Sequence, residues 1–325
     1  MKPLRLFVAL VIAFSFGVSA EAADKLRVGK GVPFAWTFIP VDVGKAIGVW
    51  DAMGIDVEII GFQGAAKQQQ ALIAGSVDIG LGSGPSMGFT AKGAPAHGVA
   101  AFAGPPLSLS VVVLKDSPIK TPADLKGTKT GVTTAGSLSD WMGKRVAMAQ
   151  GWGPNGITTV ALGGLEASLA ALRNKQVDSL ILATEEGYQL EEKGIGRIVA
   201  NAGKFVTEFH THVIFARDAL IAENPDLIQR FVNGWFTTIA WMKANREKTI
   251  ELSTHILTLS PGVLAKTYDD EIGMMSDDGV FDPKALAVLK PSLVEMGILE
   301  KVPTDGQMFT PKFVPAKVMK FEPKS

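Results

Sequence analysis

The stretch ALIAGSVDIG at residues 71–80 returns as ALRNKQVDSL at residues 171–180, and this repeat is the strongest indication of the fold. Each copy has the pattern of a helix end, a polar turn and a buried strand that opens with Val-Asp. A strand pattern and a Gly-rich turn precede each copy, at 55–64 and at 157–164. Solenoid repeats recur every 20 to 50 residues or so, whereas a spacing of about a hundred indicates paired lobes. We therefore predict two α/β lobes of similar design, an arrangement that can close on a ligand.

Outside the repeat, strand patterns alternate with helical ones from Lys25 onward, which is typical of parallel βαβ units. Gly104-Pro105-Pro106 interrupts this pattern, which then resumes and ends with a strand predicted at 210–216. Beyond Arg217 the chain has the pattern of a helical tail. Three of its aromatic residues fall at helical spacing, and we expect them to pack in a core: Trp235, Phe236 and Trp241.

The N-terminus has the pattern of a signal peptide over residues 1–22. Lys2 and Arg5 precede an apolar run, 6–16, that is too short to span a bilayer. Ala20-Glu21-Ala22 fits the small-x-small cleavage pattern, and we expect cleavage after Ala22, with Ala20 as the second choice. An uncleaved anchor is the alternative. The segment predicts export, and we expect the protein to be periplasmic.

Composition excludes several classes of function. The chain contains no cysteine, so it has no disulfide, no thiol nucleophile, no cysteine metal site and no lipoprotein anchor. Its formal net charge is zero and no basic tract is visible, so we expect no nucleic-acid partner. We expect no cofactor either, because no phosphate-binding P-loop occurs. Residues 80–87 match the dinucleotide-binding fingerprint only in part, since Pro85 stands where the motif requires glycine.

Two motifs suggest a hydrolase or a metal site as alternative functions. The turn Gly84-Pro85-Ser86-Met87-Gly88 matches the G-x-S-x-G nucleophile elbow, and a hydrolase could use Ser86 with His210, His212 or His255 as base. His210 and His212 lie on one face of the predicted strand, and a metal site would need at least a third ligand. The alternative is a strand face that meets a polar cleft.

Two serine-rich turns favour ligand binding instead. The turns at 83–86 and 133–139 each follow a strand and precede a helix, so hydroxyls, backbone N–H groups and a helix dipole would point at one spot. Ordinary helix capping is the alternative for each. The turn at 31–38 carries three aromatic residues, Phe34, Trp36 and Phe38, which either line a ligand or pack under the lobe.

Four segments together resemble a known family. They are GVWDAMGIDVEI at 48–59, QQQALIAGSVDIGLGSGPSMGFTAKG at 68–93, SPIKTPADLKGTKTGV at 117–132 and EASLAALRNKQVDSLIL at 166–182. The chain resembles the solute-binding proteins of ABC importers in the nitrate/sulfonate/taurine group, close to the thiamine-precursor-binding type. The resemblance implies a two-lobed type II periplasmic binding fold that closes on ligand. It places the first lobe at 24–108 plus 217–325, and the second at 109–216.

The resemblance also implies which residues line the cleft. We expect ligand contacts from Phe34, Trp36, Ser83, Gly84, Ala135, Gly136, Ser137, Thr184, Glu185 and His212. Lys175 stands where the family usually has Gly. Glu185 and Glu186 are the important departure, because a carboxylate in the cleft repels a simple anion. A zwitterion, or an organic molecule with an amine or heterocycle, fits better than nitrate or sulfate.

The sequence thus predicts a monomeric periplasmic binding protein that captures a small organic ligand in the cleft between its lobes and delivers it to an inner-membrane ABC permease. The predicted ligand is sulfonate- or taurine-like, either an anion or a zwitterion. We expect the protein to make or break no covalent bond in its ligand. The rival hypothesis is an exported serine hydrolase built on Ser86. A two-lobed biosynthetic enzyme of related fold is a third, against which the signal peptide argues.

Overall fold

A computed structural model describes residues 23–323, and the predicted signal peptide at 1–22 lies outside them. The described chain forms two five-stranded sheets. The strands of the first sheet are β1 (Asp24–Lys30), β2 (Ile55–Gly61), β3 (Ile79–Ser83), β4 (Ala96–Ala103) and β10 (His212–Arg217). Those of the second are β5 (Leu109–Leu114), β6 (Lys129–Val132), β7 (Thr158–Ala161), β8 (Ser179–Ala183) and β9 (Gly196–Asn201).

Helices cover both sheets and form the tail. They are α1 (Pro40–Ile47), α2 (Val49–Ala52), α3 (Ala65–Ile73), α4 (Met87–Ala91), α5 (Leu138–Ala149), α6 (Leu165–Arg173), α7 (Thr184–Glu192), α8 (Asp218–Glu223), α9 (Pro225–Ala244), α10 (Arg246–Leu257), α11 (Pro261–Glu271) and α12 (Pro283–Glu295). Gly48, whose φ is 84°, ends α1 and separates it from α2. No helix within residues 23–323 is both long and apolar enough to cross a membrane.

The two sheets have the same design, as the repeat predicts. Their strand orders are β2-β1-β3-β10-β4 and β7-β6-β8-β5-β9. In each, the central strand of a βαβ unit pairs in parallel with two neighbours: β1 with β2 and β3, β6 with β7 and β8. In each, one strand is antiparallel, β10 in the first sheet and β5 in the second. The predicted two-lobed α/β class with a helical tail is confirmed.

The Val-Asp pair of the repeat has a structural reason. Asp78 accepts a hydrogen bond from the N–H of Arg27 in the middle of β1 (3.1 Å), and its own N–H donates to the carbonyl of Arg27. Asp178 makes the same two bonds with Lys129 at the start of β6. The aspartate thus fixes the register between neighbouring parallel strands in both lobes. Gly75 and Lys175 occupy the matching turns, both with positive φ.

Two chain crossings connect the lobes, and one of them differs from expectation. The first crossing follows β4 at Gly104-Pro105-Pro106, as the sequence predicts. The second comes before His212, because β10 pairs with β3 and β4 of the first sheet. The segment expected to belong to the second lobe up to residue 216 therefore ends earlier, and β10 belongs to the first lobe. The backbone hydrogen bonds of β10 to β3 and β4 decide this assignment, and sequence patterns do not show them.

The helical tail completes the core of the first lobe. Trp235 and Phe236 on α9 are fully buried, and Trp241 is 7% exposed. Trp235 packs edge-on against Phe102 of β4, with ring centroids 4.8 Å apart. The predicted packing role of these aromatics is confirmed.

Candidate functional site

A cavity of about 670 Å³ lies between the two lobes. The first lobe lines it with the turn after β1, the start of α3 and the ends of β3 and β10. The second lobe lines it with the turn after β6, the start of α6, the end of β8 and one face of α7. The cavity lies beyond the carboxyl ends of the parallel strands, where open α/β sheets bind ligands.

The turn after β1 forms an aromatic wall. Gly31 extends the sheet by donating its N–H to the carbonyl of Leu81 (3.1 Å), and the chain then turns across the cleft. Phe34 lines the cavity and is 59% exposed, so its ring is available to a ligand. Phe38 lines it too, with its ring edge-on to the imidazole of His212 at 4.7 Å. This wall suits the apolar body of an organic molecule.

The opposite wall carries a cluster of hydroxyls at the start of α5. Thr133, Ser137 and Ser139 are hydrogen-bonded to one another at 3.0–3.1 Å, and all three line the cavity. Ser137 also caps α5 by accepting from the N–H of Asp140 (3.3 Å). Capping and cavity lining are therefore combined in one residue. Hydroxyls both donate and accept, so this wall can bind polar groups of either kind.

One carboxylate faces the cavity from α7. The side chain of Glu186 lines the cleft, and burial raises its pKa to about 7. Within residues 23–323, the other charged side chains in the lining are Lys67 and Glu166. The formal charges of the three sum to −1 when both carboxylates are ionised. The cleft is therefore not built around a cluster of cations, as a site for a bare anion would be.

His212 contributes a neutral imidazole. It lines the cavity, its Nε2 lies 3.1 Å from the hydroxyl of Thr37, and burial lowers its pKa to about 3. Its neighbour His210 is also buried, with a pKa lowered by burial to about 4. Both rings are uncharged at neutral pH, so His212 offers a hydrogen-bond partner without charge. In the described chain, no group of three or more His, Cys, Asp or Glu side chains comes together to hold a metal.

The structure brings four of the expected site residues to the cavity: Phe34, Ser83, Ser137 and His212. The other six lie outside its lining. Trp36, Thr184 and Glu185 are buried in contacts between elements, and Ala135 is exposed. Gly136 donates its N–H to Asp140 (2.9 Å), and Gly84 donates to the carbonyl of Thr211 (3.0 Å). Glu185 lies outside the lining although its neighbour Glu186 is part of it, because successive residues of a helix point about 100° apart.

Ser86 does not have the surroundings of a catalytic nucleophile. Its hydroxyl is buried, and in the described chain its side-chain hydrogen bond is to Ser83 (3.1 Å), not to a histidine. Ser83 lines the cavity while Ser86 lies behind it. The strand–turn–helix context of the elbow motif is present, but no base activates the serine. The serine hydrolase hypothesis is not supported.

Sequence reasoning missed several parts of the lining. Residues within the segments 62–67 and 163–168 line the cavity at matching positions of the two lobes. The Gly-rich turns beside the repeat were the sequence signal that could have identified both segments. Leu257, Thr258 and Leu259 reach the cavity from the end of α10, and no sequence pattern marked them.

The rims of the two lobes touch across this cleft. A Cβ on Gly164 of the second lobe would lie 2.6 Å from Oε1 of Gln63 of the first. A Cβ on Gly64 of the first lobe would lie 2.9 Å from a methyl carbon of Thr134 of the second. The structure therefore shows the lobes in a closed arrangement.

Comparison with known proteins places the chain in a family. A family model described as NMT1/THI5 like matches residues 36–249, and the chain belongs to that family. It is 26% identical over 259 residues to a protein of Brucella abortus named as a binding protein, which covers 78% of each chain. It is 25% identical over 336 residues to a Haemophilus influenzae protein named as a thiamine biosynthesis protein, covering 91% of this chain and 100% of that one.

Solved structures share the fold. The alkanesulfonate-binding protein SsuA of Xanthomonas axonopodis pv. citri, bound to MOPS, superposes with a TM-score of 0.76 at 20% identity, covering 90% of this chain and 99% of that one. The desulfurization enzyme DszB gives a TM-score of 0.62 at 19% identity, covering 89% of this chain and 97% of that one. The fold is that of the periplasmic binding proteins.

Proposed function

We propose that this protein is the periplasmic solute-binding component of an ABC importer. The observation that carries the proposal is the cavity of about 670 Å³ that both lobes line and that their touching rims enclose. A ligand in this position contacts both lobes at once, so binding shifts an open–closed equilibrium toward the closed form. A closed form of this kind is what a permease can distinguish from the empty protein.

The lining indicates the class of ligand. Phe34 and Phe38 provide an apolar wall, and the cluster at Thr133, Ser137 and Ser139 provides hydroxyls. The carboxylate of Glu186 on α7 also lines the cavity. We infer a small organic ligand with an apolar or ring-shaped body and a protonated amine or N–H donor directed at this carboxylate. A zwitterion of taurine type satisfies this arrangement, whereas a bare inorganic anion does not.

The protein acts without making or breaking a bond. Ser86 is buried and lacks a base, and the titratable groups that line the cavity are few. The similarity to the enzyme DszB is one of fold at 19% identity and carries no argument for activity. This chain contains no cysteine, so chemistry that depends on a thiol is closed to it. The names of the binding-protein relatives support transport.

The place of action follows from the N-terminal sequence. The export pattern at residues 1–22, the absence of cysteine and the fold together support a free periplasmic monomer with an inner-membrane permease as its partner. We propose this partner by class only.

A thermal-shift screen tests the proposal. Mature protein is unfolded and refolded to remove carried-over ligand, then heated with taurine, alkanesulfonates, nitrate, aromatic carboxylates, pyrimidines or amino acids. A ligand at 100 times its dissociation constant stabilises the protein by about 2.7 kcal/mol. We expect amine-bearing or heterocyclic compounds to raise the unfolding temperature and nitrate to leave it unchanged.

Glu186→Gln serves as the matched variant in the same screen. Loss of the carboxylate removes a charge-assisted hydrogen bond, which weakens binding of an amine-bearing ligand roughly tenfold or more. Affinity of the wild type for such a ligand should rise with pH through about 7, because only ionised Glu186 attracts a cation. A panel without any stabilising compound would count against the binding function, and tight binding of nitrate would contradict the inferred ligand class.

A further inference from the structure

A carboxyl group of the second lobe is inserted into the first. Glu185, in the first turn of α7, is fully buried, and its Oε1 accepts the backbone N–H of Trp36 at 2.6 Å. Trp36 lies in the turn that carries the cavity residues Phe34 and Thr37. Its indole N–H donates to Ser253 of α10 (3.3 Å). The contact thus joins α7 of one lobe to the cleft-lining turn of the other.

A second buried carboxyl group lies beside the first. Glu271, the last residue of α11, is fully buried, and in the described chain neither of its oxygens has a hydrogen-bond partner. The Oε2 atom of Glu185 also lacks one. Burial raises the pKa of Glu185 to about 8, and burial together with the charge of Glu185 raises that of Glu271 well above its usual range. At neutral pH Glu185 therefore retains its proton.

No cation within residues 23–323 neutralises this pair. The acids near it are Glu186 on α7 and Asp270 on α11, and two tyrosines lie close by: Tyr188, hydrogen-bonded to Asp270, and Tyr268, edge-on to Trp36 at 5.9 Å. The cations in this region are Lys266, Arg246 and Lys204, and none of them is hydrogen-bonded or ion-paired to Glu185 or Glu271 in the described chain. Lys266 lies over the ring of Tyr188 at 5.6 Å, and Arg246 is paired with Asp269 at 2.7 Å. These two cations are engaged elsewhere, and the remaining acids add negative charge. Protons are therefore the means by which the pair is kept neutral.

Close to this contact, α7 meets α11 through polar side chains. A separate cavity of about 410 Å³ lies beside α7, lined by Tyr188 and Glu191 of α7, by Asp270 of α11 and by residues from β5, β9 and the turn at 202–205. Polar pairs rather than an apolar core hold the seam between α7 and α11; one is Ser260 donating to Glu192 at 2.7 Å. Leu190 of α7 packs in an apolar core of the second lobe and Leu264 of α11 in the core of the first, so the two helices share no apolar cluster among the described residues. The cost of burying charge at Glu185 can therefore decide the balance between the closed and open forms.

We propose that Glu185 is a positioning residue that acts as a proton-dependent latch on lobe closure, with Glu271 as its buried partner. In the protonated form it holds α7 of the second lobe beneath the cleft-lining turn of the first. Ionisation of Glu185 places a negative charge next to Glu271 in a buried site. Opening of the lobes removes the free-energy cost of burying that charge. The latch extends the proposed solute-binding function, because α7 also carries Glu186, but its operation requires no ligand.

The direction of the pH effect follows from the raised pKa values. A buried acid whose pKa is raised contributes stability to the closed form that is fully present below its ordinary pKa. This contribution is lost progressively as the pH rises from there to the shifted value, about 8 for Glu185. Closure is therefore favoured in acid to neutral solution and weakened in alkaline solution.

Distance measurements between the lobes test the latch without ligand. The chain contains no cysteine, so Gln70→Cys on α3 and Arg173→Cys on α6 allow one spin label on each lobe of the mature protein. We expect the short interlobe distance to predominate at pH 6 and a longer one to gain population as the pH rises through about 8. Glu185→Gln should keep one distance distribution over the whole range. Glu223→Gln, a surface acid on α8, should behave like the wild type.

Two outcomes overturn the latch. One is a wild-type distance distribution that does not change between pH 6 and roughly 9, above the raised pKa, and the other is a Glu185→Gln protein that still opens with rising pH. If Glu185→Gln does not fold, Glu271→Gln replaces it, and an undiminished pH response in that variant also overturns the latch. Because no ligand is added, these results are independent of the solute screen.

Discussion

At the scale of single residues, Gly84 has a role that its motif did not suggest. A Cβ at this position would lie 2.0 Å from the backbone carbonyl oxygen of His210 and 2.5 Å from a methyl carbon of Leu289. Its N–H donates to the carbonyl of Thr211 (3.0 Å). The glycine therefore permits the end of β3 to approach the second chain crossing closely. Its importance is steric, and ligand contact is not the reason that this position needs glycine.

We expect Gly84→Ala to destabilise the protein by about 1–3 kcal/mol, the usual cost of overpacking a buried site. A backbone atom is in the way, so a side-chain rotation cannot relieve the clash. Gly273→Ala is the control, because an added Cβ there meets nothing within 4 Å. Urea unfolding midpoints measure both changes. Equal midpoints for the two variants would show that β3 and the crossing can separate freely.

At the scale of secondary-structure elements, the two aspartates of the repeat make different numbers of contacts. Asp78 is buried and receives side-chain hydrogen bonds from Arg27 of β1 (2.8 Å) and Arg217 of β10 (2.6 Å). Asp178 has the backbone contact to Lys129 alone among the described residues and is exposed. Burial by itself would raise the pKa of Asp78, but the two guanidinium groups outweigh it and lower the pKa. Asp78 thus joins three strands where Asp178 joins two.

We expect Asp78→Asn to cost roughly 2 kcal/mol of unfolding free energy, because hydrogen bonds to a charged partner are lost and two arginines are left unpaired. Asp178→Asn, the matched variant in the other lobe, should cost well under half of that. The difference should shrink in acid, since an acid with a lowered pKa contributes stability above its ordinary pKa and loses it as the pH falls. Denaturant titrations at pH 7 and pH 3 measure this, and equal costs at pH 7 would contradict it.

At the scale of the whole molecule, the tail determines whether the first lobe exists as a folded unit. The core of that lobe combines sheet residues such as Phe102 with Phe231, Trp235 and Phe236 of α9. Lys243 of the same helix also donates to the carbonyl of Met275 (2.7 Å). The tail is therefore an internal part of the lobe, although it follows the last strand in sequence.

A chain that ends at Glu223 should fail to unfold cooperatively, because removal of α9 exposes the aromatic core of the first sheet. A chain that ends at Phe321 is the control and should unfold like the full mature protein. Differential scanning calorimetry distinguishes the two. A sharp transition in the shorter chain would mean that the sheet and its remaining helices form a sufficient core on their own.

The class of fold could be predicted from the order of amino acids alone. The repeat at 71–80 and 171–180 predicted two matching lobes because its pattern is local: the period of buried residues and the turn glycines are readable one element at a time. The aromatic spacing of α9 predicted burial for the same reason.

Which residues reach the cleft depends on tertiary structure. Glu185 and Glu186 are adjacent in sequence, yet one is inserted under Trp36 and the other faces the cavity, because helix rotation and lobe placement set their directions. The membership of β10 in the first sheet and the approach of Leu257–Leu259 to the cavity also depend on contacts between segments far apart in the chain. Local patterns fix elements, whereas long-range packing and hydrogen bonding fix the site.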